Sequence, residues 1–218
     1  EALVRIDKHI PFEHAALFGC GVVTGVGAVI NTASAREEDS IAIVGLGGVG
    51  LSALLASIAI GSKKTIAIDV SNEKLNLAHE LGADHILNPN DANFLERIRD
   101  LTSGGANIAI ETAGSGRALK TAYDITRRGG TTVAAGMPGP KVDITLSHLS
   151  IAAEERIIKG SYMGSCIAHR DIPKYLDMFQ TGKLPVDRLL SRKITFEDLN
   201  AAMDRLDDAK TVREVLIP

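Results

Sequence analysis

Strand-like and helix-like patterns alternate through the middle of the chain. Residues 41–44 form a short apolar run rich in β-branched side chains, and residues 51–60 form a helical segment that ends at Gly61. Residues 65–69 repeat the strand pattern, and residues 72–81 place apolar side chains on one helical face before a glycine. The pattern therefore predicts two consecutive pairs of strand and helix.

The same alternation continues as far as residue 162. Glycine pairs at 104–105 and 129–130 mark turns between elements. The predicted elements are strand 85–87, helix 93–101, strand 107–111, helix 117–126, strand 131–135 and an extended stretch at 156–162. Such alternation is typical of a parallel sheet covered by helices on both faces. We therefore predict an α/β fold with a doubly wound, six-stranded parallel sheet.

The C-terminal part of the chain departs from this alternation. It contains an amphipathic segment at 172–179, a short extended segment at 192–194, and a final extended segment at 212–217. Thr195 and Asp198 have the spacing of a variant capping box, which predicts a helix opening at Thr195. Its apolar stripe would consist of Leu199, Ala202, Met203 and Leu206. This tail has no obvious partner in the predicted sheet, so we expect the chain ends to form a partial second domain.

Glycines interrupt the segment that precedes the sheet. Gly19, Gly21, Gly25 and Gly27 break what would otherwise be a helical run over residues 11–30. Because glycine lacks a side chain, this density predicts close packing against a ligand or another stretch of backbone.

Composition narrows the class of protein. The chain has 218 residues, of which 45% are hydrophobic and 23% charged, as expected for a folded globular protein. Its net charge of -3 gives no electrostatic reason to expect nucleic acid or an acidic membrane as partner. Two cysteines cannot form a disulfide framework or complete a zinc site, which favours a reducing compartment, the cytoplasm. We find no signal-peptide pattern and no apolar run long enough to span a bilayer.

The segment between the first strand and the first helix carries a nucleotide-binding motif. Gly45, Leu46, Gly47, Gly48, Val49 and Gly50 match G-x-G-x-x-G, and we call these six residues the glycine loop. In this motif the first glycine allows a tight turn, the second allows a pyrophosphate to approach, and the third allows helix and strand to pack closely. The diphosphate would lie at the helix N-terminus, where backbone N–H groups and the helix dipole attract it.

A carboxylate at the end of the next strand extends the motif. Asp69 follows the glycine loop by the usual spacing, so its side chain is expected to accept hydrogen bonds from the adenosine ribose and to repel a 2′-phosphate. Val70 and Ser71 offer no compensating positive charge, although Lys74 lies nearby in the sequence. Together these residues predict a Rossmann-type site that prefers NAD to NADP.

Cys20 alone would be interpreted as a small buried residue rather than a metal ligand. However, residues 19–28 (GCGVVTGVGA) and 42–51 (AIVGLGGVGL) together resemble the zinc-dependent medium-chain alcohol dehydrogenases. Further matches extend the resemblance along the chain, at Ile68-Asp69, Asn88-Pro89, Ile110-Glu111-Thr112, Ala135-Gly136-Met137-Pro138, Lys159-Gly160-Ser161-Tyr162 and residues 211–216.

The resemblance implies a role for each matched residue. It makes Cys20 a ligand of a catalytic zinc, and it implies that Asp69 and Lys74 hold the adenosine ribose and that Arg213 reaches the diphosphate. The residues expected beside the nicotinamide are Thr24, Ala135, Gly136 and Met137. It also implies a primary or secondary alcohol, or an aldehyde, as substrate, with Tyr162 and Met163 beside it, and a homodimer or homotetramer paired through the edge strand at 156–162.

The chain also departs from the family pattern. The family's other zinc ligands, a cysteine and a histidine followed by glutamate, are not found, and neither is its four-cysteine structural zinc lobe. We therefore divide the chain into a remnant of a catalytic domain (1–24), a dinucleotide-binding domain (25–164) and a return to the catalytic domain (165–218). On this interpretation the chain supplies the NAD-binding part of the enzyme and does little chemistry alone.

Two other functions stay open. A zinc-free quinone or enoyl reductase of the same superfamily would use the same dinucleotide-binding unit, but it has no need of Cys20. A non-catalytic NAD-sensing module would use the same motif without substrate chemistry. Among the remaining candidates, we interpret Cys166 as a structural thiol, the histidines lack a metal-binding spacing, and Glu111 is equally suited to stabilising a turn or to catalysis.

Overall fold

The structure is a computed structural model that describes residues 3–205 and 211–217. A six-stranded sheet lies at its centre, with all neighbouring strands parallel and in the order β3-β2-β1-β4-β5-β6. The strands are β1 Ser40–Val44, β2 Lys64–Ile68, β3 His85–Leu87, β4 Ala106–Glu111, β5 Thr126–Ala134 and β6 Ile157–Gly160. This order reverses between β1 and β4, which confirms the predicted doubly wound Rossmann fold.

Helices cover both faces of the sheet and extend into the two chain ends. The α-helices are α1 Phe12–Ala15, α2 Gly21–Gly27, α3 Gly48–Ala59, α4 Asn72–Glu80, α5 Phe94–Thr102, α6 Gly116–Ile125, α7 His148–Ala153, α8 Ala168–Gln180 and α9 Leu199–Asp204. Short 3-10 turns occupy Ala16–Gly19, Met163–Ser165 and Val186–Leu189, and a π-helical turn occupies Ala28–Thr32. The boundaries predicted for the alternating strands and helices agree with these observed ranges to within a few residues. The exceptions are α3 and β5, each of which begins earlier than predicted.

Two apolar layers hold the sheet between the helices. One contains the apolar residues of α2 and α3 together with Ile41 and Ile43 of β1, while the other contains Ala42 and Val44 of β1 with residues of α5 and α6. Side chains of a strand alternate between its two faces, so β1 contributes to both layers, and all five of its residues are buried. Full burial explains why its sequence is a continuous apolar run.

The start of β5 was predicted wrongly. We expected a helix to residue 126, a turn at 129–130 and a strand from 131, whereas β5 begins at Thr126 and pairs there with Ala106. The Oγ1 of Thr126 donates to the carbonyl of Ala122 at 2.7 Å and lies 2.8 Å from the Oγ1 of Thr132. The predicted turn is present as an irregularity, because Gly129 has φ +67° and the register with β4 shifts there.

Two of the four glycines before the sheet pack against other backbone, the contact that was predicted for them. A Cβ added to Gly25 would overlap the carbonyl oxygen of Val49, and one added to Gly27 would overlap the carbonyl oxygen of Gly164. No Cβ added at Gly19 would meet any described atom within 4 Å. Close approach therefore explains the glycines of α2 itself, which lies directly on α3.

The C-terminal tail differs from prediction in two respects. We expected it to lack a partner in the sheet unit, but Tyr175 and Leu176 of α8 are buried in the core layer formed with α2 and α3. We also expected a helix from Thr195, but a turn occupies the residues after Thr195 and α9 begins at Leu199. One contact of the predicted capping box is nevertheless present, because the Thr195 backbone N–H donates to the Asp198 carboxylate at 3.3 Å. Leu206 of the predicted stripe lies outside the described residues.

The remaining tail forms a small structure of its own. Strands β7 (Leu190–Ile194) and β8 (Arg213–Leu216) pair in parallel as a separate two-stranded sheet. The ammonium of Lys193 pairs with the carboxylate of Glu13, so the tail and the N-terminal segment are in contact.

Within the described residues, no single helix is both long and apolar enough to cross a membrane. One pair of helical segments, Phe12–Gly19 and Gly21–Thr32, reaches the required length and composition together, but the pair is bent by 56°. Every residue of α2, which belongs to this pair, is buried in the protein.

Candidate dinucleotide and metal site

The three glycines of the motif have distinct environments. Gly45 adopts φ +96°, and a Cβ there would lie 2.7 Å from the backbone nitrogen of Ala113. At Gly50 a Cβ would overlap the carbonyl oxygen of Gly45, so this glycine allows α3 to begin directly against the loop. Gly47 is exposed, and a Cβ there would meet nothing within 4 Å. Gly47 therefore presents bare backbone to an open space where a ligand can approach.

The N-terminus of α3 carries a partial positive charge that no capping side chain offsets. The helix begins at Gly48 after the N-cap residue Gly47, and no side chain caps it. The first N–H groups of a helix have no partner within the helix, and the helix dipole adds a partial positive charge there. Leu46 and Val49, the two residues of the glycine loop that are not glycine, contribute backbone atoms to their surroundings. The Leu46 side chain is buried in the core, and the Val49 carbonyl packs on Gly25.

Arg213 brings a full positive charge to the same place. A Cβ added to either Gly21 or Gly48 would overlap its guanidinium, so this group lies between the first turns of α2 and α3. No hydrogen bond or ion pair joins the guanidinium to another residue in the described part of the chain. A cation and an uncapped helix N-terminus thus face one region, which is the arrangement that binds an anion.

The carboxylate of Asp69 is fixed beside the glycine loop. Its Oδ2 accepts a hydrogen bond of 2.7 Å from the Leu46 backbone N–H, and its Oδ1 accepts one of 2.9 Å from the Ser71 backbone N–H. A carboxylate has about four lone-pair positions, so both oxygens can accept further bonds from ribose hydroxyls. The sequence did not reveal the Leu46 contact, which ties the carboxylate to the loop.

A cleft of about 240 Å³ extends from the glycine loop over the carboxyl ends of β1 and β2. Asp69 and Lys74 both line it, as the predicted ribose site requires. The residues on the far side of the cleft were given no role from the sequence. Their position just after β3 and β4 is the signal that could have identified them. These residues are Pro89, Ala113, Ser115, Arg117, Ala118 and Thr121.

The loops after β4 and β5 meet on Glu111, the last residue of β4. Its carbonyl accepts hydrogen bonds from the backbone N–H groups of Ala135 at 2.9 Å and Gly136 at 3.0 Å, and its carboxylate accepts one from Gly114 at 2.6 Å. Glu111 is 2% exposed, and burial raises the pKa of its carboxyl against the opposing effect of the backbone N–H groups around the carboxylate, of which Gly114 has the largest effect. This geometry favours the turn-stabilising role of Glu111 over a catalytic one.

Ala135, Gly136 and Met137 follow β5 at the carboxyl edge of the sheet. A Cβ added to Gly136 would overlap the backbone nitrogen of Gly114, so the two loops are in direct contact. Ala135 is buried, whereas the Met137 side chain is 76% exposed. Of the three residues, only Met137 has a side chain exposed at the surface, beside the half of the sheet formed by β4, β5 and β6.

Cys20 and Thr24 lie one helical turn apart at the start of α2. Cys20 is the exposed N-cap residue of this helix. Thr24 is nearly buried, and its Oγ1 donates to the Cys20 carbonyl at 2.8 Å and to the Met163 sulfur at 3.8 Å. Residues 3–205 and 211–217 contain no group of three or more His, Cys, Asp or Glu side chains that could hold a metal ion. Cys20 is thus an exposed thiol, and the described residues do not complete a zinc site.

An apolar groove of about 660 Å³ reaches Gly19, the residue that precedes Cys20. It is lined on one side by Phe18, Gly19 and Val23, and on the other by Tyr162 and Met163, the residues that were expected beside the substrate. The carboxyl edge of the sheet thus carries a centre suited to an anion and a cleft next to it, and the apolar groove is a separate cavity that the loop after β6 lines in part.

Comparison with known proteins identifies the family. Residues 48–181 match the family described as zinc-binding dehydrogenase, so the chain belongs to that family. This confirms the resemblance found in the sequence.

Individual relatives agree with this assignment. The chain is 33% identical to geraniol dehydrogenase of Castellaniella defragrans over 98% of its length, and 35% identical to alcohol dehydrogenase B of Mycobacterium tuberculosis over 99% of its length. These matches cover 57% and 58% of the two relatives, so the chain spans less than two thirds of their length. Among solved structures, benzyl alcohol dehydrogenase from Acinetobacter calcoaceticus superposes with a TM-score of 0.94 at 31% identity, over 98% of this chain and 59% of that one.

Proposed function

We propose that this chain binds NAD(H) along the carboxyl edge of its sheet and supplies the cofactor-binding part of a zinc-dependent alcohol dehydrogenase. This proposal rests on the position of the Arg213 guanidinium, which lies against the uncapped N-terminus of α3. The guanidinium has no anionic partner among the described residues. A diphosphate supplies the negative charge that both groups require, and Gly47 leaves it room to approach.

The adenosine half of the cofactor would occupy the cleft over β1 and β2. Asp69 is held by backbone N–H groups on both oxygens, so its negative charge faces the ribose in a fixed position. It accepts hydrogen bonds from both ribose hydroxyls and repels a phosphate on either of them. Lys74, which lines the same cleft, adds a donor to the ribose, and the site prefers NAD to NADP.

The reaction would take place beside α2. When bound, the nicotinamide supplies a hydride acceptor and the zinc supplies a Lewis acid for the alcohol oxygen. Cys20 contributes one thiolate ligand from the exposed start of α2, and the rest of the ligand set lies outside the described residues. Thr24 and Met163 fix the position of the first turn of α2, and the apolar groove that reaches Gly19 takes the hydrocarbon part of a primary or secondary alcohol or of an aldehyde.

The chain ends complete the proposal. Residues 1–24 and 165–218 would belong with the catalytic part of the enzyme, and residues 25–164 with the cofactor. The exposed Ile157 and Ile158 of the edge strand β6 support pairing of subunits in a homodimer or homotetramer. The two free cysteines are in keeping with the cytoplasm.

The test is an alcohol oxidation assay on the full-length protein with NAD. We expect alcohol-dependent formation of NADH that a zinc chelator abolishes and added zinc restores. Turnover that is insensitive both to the chelator and to Cys20→Ser would instead favour a zinc-free reductase of the same superfamily. Binding of NADH without turnover of any alcohol or aldehyde would favour an NAD-sensing module.

A further inference from the structure

The loop after β6 has an unusual backbone. Met163, Gly164 and Ser165 adopt φ values of +47°, +66° and +50°, so three consecutive residues are left-handed. For a residue with a side chain this conformation costs about 1–2 kcal/mol, and left-handed residues normally occur singly. Two of these three are not glycine, so the surrounding structure must hold the loop in this shape.

Two neighbouring residues of the π-helical turn after α2 hold the loop from behind. The Thr32 Oγ1 lies 2.8 Å from the Ser161 Oγ and 2.9 Å from the Ser165 Oγ, so one hydroxyl bridges both ends of the loop. The Asn31 side-chain amide donates to the Gly164 carbonyl at 3.2 Å. Thr32, Asn31 and their three loop partners form a group that we call the loop clamp.

Buried groups on α8 fix the clamp in turn. The Asn31 amide also lies 3.2 Å from the Asp171 Oδ2 and 3.1 Å from the Tyr175 hydroxyl. Asp171 is 3% exposed, and its carboxylate accepts hydrogen bonds from the Ile167 backbone and the Arg170 guanidinium. Asn31 is therefore oriented by two buried side chains of α8, so its amide has little freedom to leave Gly164.

The front of the loop meets the residues of the proposed site. The Met163 sulfur accepts a hydrogen bond from the Thr24 hydroxyl, and Gly164 packs against the backbone of α2 at Val23 and Gly27. In a doubly wound fold, the second half of a dinucleotide lies over the strands beyond the point where the strand order reverses. The loop follows β6, which belongs to that half of the sheet.

From this geometry we infer that Asn31 and Thr32 are positioning residues for the nicotinamide half of the cofactor. They touch neither cofactor nor substrate; they hold residues 161–165 in the left-handed turn, so that the loop backbone and Met163 keep a fixed position beside Thr24. This inference rests on the proposed function, because it presumes that NAD(H) binds.

The test compares NADH with ADP-ribose, which lacks the nicotinamide, by calorimetric titration of Thr32→Val. This substitution keeps the shape of the side chain and removes the hydroxyl. We expect the affinity for NADH to fall about tenfold and that for ADP-ribose to change less than about twofold. Thr32→Ser, which keeps the hydroxyl, should restore the NADH affinity.

Thr126→Val is the matched control. The Thr126 hydroxyl also belongs to a buried residue, 1% exposed against 8% for Thr32, and it also bridges to another threonine, but it lies at the start of β5, away from the loop. Its loss should leave both affinities unchanged. If Thr32→Val does not fold, Ser165→Ala removes one bond of the clamp and should shift NADH affinity in the same sense.

Three outcomes would overturn the inference. A parallel loss of NADH and ADP-ribose affinity in Thr32→Val would show a general structural role, and unchanged affinities would show that the clamp does not position the loop. If the wild-type chain bound neither ligand, the proposed function itself would fail, and the inference would fail with it. This outcome is distinguishable from the other two, because it is measured on the wild-type chain and not on a variant.

Discussion

The guanidinium of Arg213 lies against the backbone of Gly48, at the first turn of α3. Arg213 belongs to β8, in the C-terminal tail, whereas Gly48 belongs to the glycine loop. The tail therefore completes the anion-binding centre at the middle of the sheet edge. A positive side chain beside the positive end of a helix is unfavourable unless an anion lies between them, so this contact supports the proposed binding of an anion here.

Replacement of Arg213 by alanine should weaken NADH binding. A hydrogen bond to a charged group contributes about 1.5–3 kcal/mol, so we expect the dissociation constant to rise by at least about tenfold, with a weaker dependence on salt concentration. The measurement is a calorimetric titration at two ionic strengths.

The control for this change is Arg192→Ala. Arg192 is exposed, lies on the neighbouring strand β7, and is 3.9 Å from Glu214. Equal losses of affinity in the two variants would indicate a general effect of charge and would contradict a specific role for Arg213.

Gly50 and Gly47 should respond differently to alanine in thermal and urea unfolding. A Cβ at Gly50 overlaps the Gly45 carbonyl, so Gly50→Ala should lower the free energy of unfolding by about 1–3 kcal/mol. A Cβ at Gly47 meets no described atom within 4 Å, and its φ of -78° suits alanine, so Gly47→Ala should change stability by less than about 0.5 kcal/mol. A large destabilisation by Gly47→Ala would contradict the described loop geometry.

Asp69→Asn should reduce the discrimination between NADH and NADPH. The asparagine oxygen can still accept the Leu46 N–H, while the negative charge and the acceptor for the Ser71 N–H are lost. We expect the ratio of the two dissociation constants to move towards NADPH by about tenfold. Fluorescence titration with both cofactors measures it, and an unchanged ratio would remove Asp69 from cofactor selection.

Zinc content should depend on one of the two cysteines. In the full-length protein we expect Cys20→Ser to lower the bound zinc, because a hydroxyl is a much poorer zinc ligand than a thiolate. Cys166→Ser is the matched control and should leave the zinc content unchanged. Elemental analysis of the two purified variants decides, and equal zinc in both would exclude Cys20 as a ligand.

The Glu111 carboxyl should make the free energy of unfolding depend measurably on pH. Burial raises its folded-state pKa above the ordinary value, so the folded state holds the proton more tightly than the unfolded state. The resulting destabilisation is complete above the folded pKa and is relieved as the pH falls towards the unfolded value. Relative to Glu111→Gln, the wild-type protein should therefore gain stability between neutral pH and about pH 4.5.

Urea unfolding of both proteins at several pH values tests this difference. Other carboxyl groups, including those of Asp171 and Glu214 with their lowered pKa values, titrate in both proteins and cancel in the comparison. Parallel stability curves for the two proteins would contradict a raised pKa for Glu111.

The sequence was sufficient to predict the sheet and the glycine loop because both depend on local signals. A buried parallel strand is a continuous apolar run, as at β1, and a tight turn into a helix requires glycine, as at Gly45. The loop clamp could not be predicted, because Asn31 and Thr32 are separated from their partners by about 130 residues and have no periodic pattern. For the same reason, the burial of Tyr175 against the core was missed.

The central claim is that the glycine loop binds the diphosphate of NAD(H), and calorimetric titration of NADH into the wild-type chain and into Gly47→Ala tests it most directly. The claim predicts one NADH bound per wild-type chain and at least about tenfold weaker binding to Gly47→Ala, because the added methyl group occupies the space that the diphosphate needs. Equal affinity of the two proteins for NADH, or no binding to the wild-type chain, would contradict it.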